Sequence, residues 1–126
     1  MLPVEHRMRT AGDFSDTVRS GARIGRRNVV VYAHLLAEPL PSRVGFIVSK
    51  KVGNAVTRNL VKRRLRALSA DYVKQFPQGF GIVMRALPAA STATWDELSR
   101  DLHSAFQKIE KIHTEHHSSK GEEHVR

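Results

Sequence analysis

Apolar positions along this chain recur with two periods, and the switches between them mark out its elements. Residues 1–9 follow neither period and are expected to form an extended arm. Thr10-Ala11-Gly12-Asp13 has the form of a capping box, opening a short helix that Gly21 stops after about Ser20. Phe14 and Val18 lie one turn apart on its face. A short strand is expected at 22–26. Asn28–Leu36 is rich in β-branched residues and predicts another strand. Period two turns Val30, Tyr32, His34 and Leu36 to one side, and Val29, Val31, Ala33 and Leu35 to the other. Pro39 and Pro41 interrupt the pattern. Val44–Ser49 then reads as a short strand, apolar enough to be central and expected to pair with its predecessor as an antiparallel hairpin.

Period 3.6 takes over after Gly53. Asn54 is a suitable N-cap for a helix reaching about Tyr72. Val61, Leu65, Leu68 and Tyr72 share one narrow arc, its expected core face. Pro77-Gln78-Gly79 predicts a turn, Phe80–Arg85 a buried strand and Pro88 to Ser91 a loop. Thr94-Trp95-Asp96-Glu97 is a second capping box, and Leu98, Leu102, Ala105, Phe106, Ile109 and Ile112 form the stripe of an amphipathic helix. The order α-β-β-β-α-β-α predicts an α/β (α+β) two-layer sandwich, a small mixed sheet with helices packed on it. It occupies residues 1–112 as a single domain, and the polar residues 113–126 are expected to be a disordered tail.

Composition narrows the function. The 126 residues include no cysteine, which excludes a disulfide scaffold, a thiolate nucleophile and Cys-ligated zinc. No apolar run can span a bilayer or act as a secretory h-region, so the expected location is the cytoplasm. Net charge is +9, concentrated in residues 1–66 with 14 basic and 4 acidic side chains, against 7 and 8 thereafter. Between Glu38 and Asp71 stand Arg43, Lys50, Lys51, Arg58, Lys62, Arg63, Arg64 and Arg66 without one carboxylate. Such a cluster repels itself unless a polyanion answers it, and nucleic acid is a better candidate than an anionic membrane surface.

Arg58, Lys62 and Arg66 step at i, i+4, i+8 along the helix, beside Asn59 and Arg63. A merely solvated helix face interleaves acids for i, i+4 pairing, and this one does not. Arginine forks and lysine point charges on such a stripe suit a phosphate backbone. Phe14 and Tyr32 admit two readings: both in the core, or both bordering a cleft where they stack on unpaired bases. His6, His34 and His103 are scattered, and no Ser, His and Asp stand at a catalytic spacing. His113, His116 and His117 fit a solvated tail better than a metal site. No protein catalytic residue and no protein-bound metal is expected.

Ser49-Lys50-Lys51-Val52-Gly53-Asn54-Ala55-Val56-Thr57-Arg58-Asn59-Leu60-Val61-Lys62-Arg63 resembles the signature of the protein-subunit family of bacterial ribonuclease P. Asp13-Phe14, Tyr32, Arg43-Val44-Gly45 and Arg85 fit in order, and the likeness covers roughly residues 6 to 110. Two positions depart from it. Leu60 replaces the second arginine of Arg-Asn-Arg, so an RNA contact there is missing or passes to Arg63 or Arg64. Val18 stands where relatives often carry an aromatic. The resemblance implies a protein cofactor of an endoribonuclease that frees the 5′ leader from precursor tRNA. The chemistry would lie in a catalytic RNA with Mg²⁺, with no organic cofactor and no obligatory protein partner. Lys50, Lys51, Asn54, Arg58, Asn59, Lys62, Arg63 and Arg66 would face the catalytic RNA, and Phe14, Val18 and Tyr32 the leader. It also implies a left-handed βαβ crossover. The rivals are a non-enzymatic RNA-binding or ribosomal protein and a helix-turn-helix DNA reader. The latter wants a helix where Val44–Ser49 reads as a strand.

Overall fold

The structure, a computed structural model, describes residues 2–36 and 40–111, with the helical backbone continuing to Val125. The elements are α1 (Ala11–Ser20), β1 (Ala22–Gly25), β2 (Val29–Leu35), β3 (Arg43–Ile47), α2 (Ala55–Gln75), β4 (Phe80–Ala86) and α3 (Trp95–Val125). Single 3₁₀ turns lie at Val4–His6 and at Pro88–Ser91, the latter in place of a plain loop. The expected disordered tail at 113–126, with His113, His116 and His117, lies outside the residues whose side chains are described, as does Ile112.

Each helix start is capped as its sequence predicts. Thr10 Oγ1 accepts from Asp13 N–H at 3.0 Å, and Asn54 Oδ1 accepts from Thr57 N–H at 2.9 Å. Thr94 and Glu97 satisfy each other reciprocally, at 3.0 and 3.1 Å. The bonds from Thr94 hold the Glu97 carboxyl below the usual carboxylate range. Helix α1 ends at Gly21, as expected. Gly21 has φ −79°, and its N–H simply completes the last turn on Thr17 O at 2.8 Å.

The mixed sheet has the order β1-β2-β4-β3. Strand β4 runs antiparallel to β2, from Val29 opposite Ala86 to Leu35 opposite Phe80. It runs parallel to β3, from Arg43 opposite Gly81 to Ile47 opposite Arg85. The expected β2–β3 hairpin is therefore wrong, and β3 is an edge strand rather than a central one. The reason lies in burial: β4 is the strand apolar on both faces, with all but Arg85 of its residues buried, so it takes the middle. Helix α2 supplies the long crossover that parallel β3 and β4 require.

Helices α2 and α3 cover one face of the sheet and form the main two-layer core. Val61, Leu65, Leu68 and Val73 of α2 and Leu98, Leu102 and Phe106 of α3 meet Val29, Val31, Ile82 and Met84 there. Tyr72, expected within that core, is only partly buried. Its ring stacks on Phe106 with centroids 3.7 Å apart, and its hydroxyl hydrogen-bonds His103 Nδ1 at 3.0 Å. Helix α1 lies on the opposite face, over part of its width. There Met8, Val30, Tyr32 and Val83 form a second, smaller cluster with Phe14 and Val18. The N-terminal arm is also more structured than expected. Leu2, His6 and Met8 are buried, and Met8 N–H donates to Val44 O at 3.0 Å on the outer edge of β3. None of the helices, among the described residues, is long and apolar enough to cross a membrane.

Candidate nucleic-acid interface

The cationic part of the chain is displayed by a tight turn and the first half of α2. Val52 N–H bonds Ser49 O at 3.0 Å and Gly53 N–H bonds Lys50 O at 3.2 Å, closing the turn. Val52 is buried and anchors it, which leaves Lys50 and Lys51 exposed at its tip. Gly53 takes φ +155°, a conformation L side chains rarely adopt, to lead directly into the Asn54 cap. The first turn of α2 has no acidic residue, so its positive dipole end adds to the lysine charges instead of being neutralised.

Along α2 the stripe divides by environment. Asn59 and Arg63 are exposed, whereas Arg58, Lys62 and Arg66 are half-buried with their stems against the fold. Arg58 Nε is enclosed without a hydrogen-bond partner among the described residues, a donor left for a ligand or a rotamer change to satisfy. Arg64 serves the fold instead. Its Nη1 donates to Ala93 O at 3.0 Å and ties α2 to the segment before α3. Arg63 is thus the better placed of the two neighbours to stand in for the missing arginine at Leu60. Leu60 itself is 38% exposed, off the core arc as its wheel position predicts. Asn54 uses its side-chain oxygen as a cap, so only its amide nitrogen is left for another partner.

Phe14, Val18 and Tyr32 do converge, in the cluster on the α1 face of the sheet. Burial divides the aromatic pair. Tyr32 is only 7% exposed and has Arg85 Cζ 6.0 Å from its ring centre, while Phe14 and Val18 stay half-buried. Gly45 makes this possible, because a Cβ there would collide with the Phe14 ring. The exposed Arg23 and Arg85 flank the part of this face that α1 leaves uncovered. Sequence reasoning did not single out Arg7 of the arm, which borders a groove of about 180 Å³ together with Phe14, Lys62 and Arg66. The signal lies in the alternation of buried Met8 with Arg7 and Arg9, too short to stand out as a strand.

His6, His34 and His103 each have a structural partner. His6 Nδ1–H donates to Ser42 O at 2.7 Å. Thr17 Oγ1 donates to Asp13 O and so accepts from His34 Nε2–H at 3.0 Å, pinning α1 to β2. Among the described residues no three His, Asp or Glu side chains are grouped to hold a metal ion.

Comparison with known proteins places this geometry. The family model described as Ribonuclease P matches residues 2–110. The chain is similar to the ribonuclease P protein component of Kocuria rhizophila, 67% identical over 105 residues, covering 83% of this chain and 92% of that protein. The corresponding protein of an Arthrobacter species is 58% identical over 111 residues, covering 88% of this chain and 82% of that one. Among solved structures, the Staphylococcus aureus RNase P protein superposes with a TM-score of 0.74 at 29% identity, covering 82% of this chain and 94% of that one. The RNase P protein from Thermotoga maritima, at 24% identity and a TM-score of 0.70, shares the fold.

Proposed function

The chain belongs to the ribonuclease P protein family, and from that premise we propose that it binds the catalytic RNA and the 5′ leader of precursor tRNA, promoting endonucleolytic removal of the leader. The observation that carries the reading is the acid-free first half of α2, with Lys50 and Lys51 before it and Arg58, Lys62 and Arg66 along it. Cations so grouped neutralise phosphates and release counterions, which lets two polyanionic RNAs approach each other. The half-buried ring of Phe14, in the same cluster as Tyr32 on the α1 face of the sheet, suits a strand with unpaired bases.

In this reading no side chain of the protein performs the bond cleavage. The Mg²⁺ is placed with the RNA, as the family resemblance implies. The protein's part is to bind, orient and screen charge. The test is to add the protein to the catalytic RNA at low Mg²⁺ and follow cleavage of precursor tRNA. Cleavage should rise well above that of the RNA alone. If folded protein leaves the rate unchanged while the RNA is active at high Mg²⁺, the proposal fails.

A further inference from the structure

We infer that the groove across the outer edge of β3 carries the backbone of the single-stranded leader, with Arg7 of the N-terminal arm as a phosphate contact. The inference rests on the function proposed above and extends the substrate site to residues outside the family signature. The groove, about 180 Å³, runs between the arm and α2. Arg7 and Met8 of the arm, Lys62 and Arg66 of α2, and Phe14 and Phe46 line it.

Three features single it out. Its cations are in no ion pair: among the described residues no carboxylate is within salt-bridge distance of Arg7, Lys62 or Arg66. Glu5 and Asp13 border the neighbouring hollow beside Arg7, and Asp13 pairs with Arg43 at 3.5 Å. Three such charges around one groove repel each other until an anion lies between them. Arg7 is also preset. Its Nε donates to Leu2 O at 2.9 Å, and Leu2 is buried, so the guanidinium is held at the groove with its terminal nitrogens free to fork onto a phosphate. Finally, the rings of Phe14 and Phe46 line the same groove as the cations, the combination that recognises a single strand without reading its sequence. Phe14 also belongs to the cluster around Tyr32, so the groove continues the leader face rather than starting a separate site.

The experiment uses the reconstituted holoenzyme with Arg7→Gln and Arg7→Lys, both of which lose the bond to Leu2. Affinity is measured for precursor tRNA and for mature tRNA, and separately for the protein with the catalytic RNA alone. Arg7→Gln should weaken precursor binding about tenfold, the worth of one charge-assisted hydrogen bond. It should lower the log K against log salt slope by about 0.7. Mature tRNA and catalytic RNA should bind as before. Arg7→Lys keeps the charge and should keep the slope. Equal losses in both variants would show that the arm had merely loosened, and would overturn the inference. So would equal losses for precursor and mature tRNA, a loss confined to the catalytic RNA, or no loss at all. Failure of the underlying function is seen separately, as wild-type protein that does not stimulate cleavage.

Discussion

The sheet turns one face toward α2 and α3 and the other toward α1, and the two are built on different terms. On the first, aliphatic side chains from all four strands and both helices close into one continuous core. On the second, the buried apolar side chains among the described residues are Met8, Val30, Tyr32 and Val83, and Arg23 and Arg85 remain exposed. The closed face supplies stability and leaves little surface for a ligand. The open face retains aromatic and cationic groups at the expense of burial. Apolar packing and positive charge are thus kept apart: the apolar arc of α2 closes the core, while the cations of α2, and Arg23 and Arg85 on the α1 face, lie outside it.

That comparison can be broken most severely from the closed side. Leu65 is fully buried, and Leu65→Ala should cost about 2–5 kcal/mol in urea or thermal unfolding. RNA affinity per folded molecule should not change. Replacing Arg58, Lys62 and Arg66 together by Gln should do the reverse. The fold should persist while the salt slope for catalytic RNA binding falls by roughly 0.7–0.9 for each phosphate no longer neutralised. An unchanged slope in a folded variant would remove these residues from the interface.

Finer tests probe where the faces meet. Gly45→Ala would push a Cβ into the Phe14 ring, and should destabilise the protein by about 1–3 kcal/mol. In a Phe14→Ala background that penalty should shrink, as a double-mutant cycle would report. The smallest effect is expected from Leu60→Arg. Leu60 is largely outside the core, so unfolding should shift by no more than about 0.5 kcal/mol. Binding to the catalytic RNA should tighten or hold. A large loss of stability there would mean that Leu60 packs as a core residue.

Much of this architecture is legible from local chemistry. Thr10, Asn54 and Thr94 announce their helices because a cap is a contact between residues three apart. The two faces of β2 follow from period two, with Val29, Val31 and Ala33 in one cluster and Val30 and Tyr32 in the other. The acid-free stripe on α2 can be counted directly. What cannot be read is any choice among equivalent residues or distant partners. Arg63 and Arg64 are adjacent and chemically identical, yet Arg64 is tied to Ala93 and Arg63 is exposed. Nothing within the helix distinguishes them, because Ala93 arrives from a different element.

The same division holds for the whole protein. The chain by itself determined the elements, their inward faces, the placement of charge and the family signature, since each depends on neighbours within a turn or two. Only the tertiary structure decided that β4 inserts between β2 and β3, that the arm docks on the edge of β3, and that Phe14 shares a groove with Arg7, Lys62 and Arg66. Strand order is set by which run buries best on both faces, a competition among segments far apart in sequence. A periodic pattern records which side of an element turns inward, but carries no label for the element it will meet.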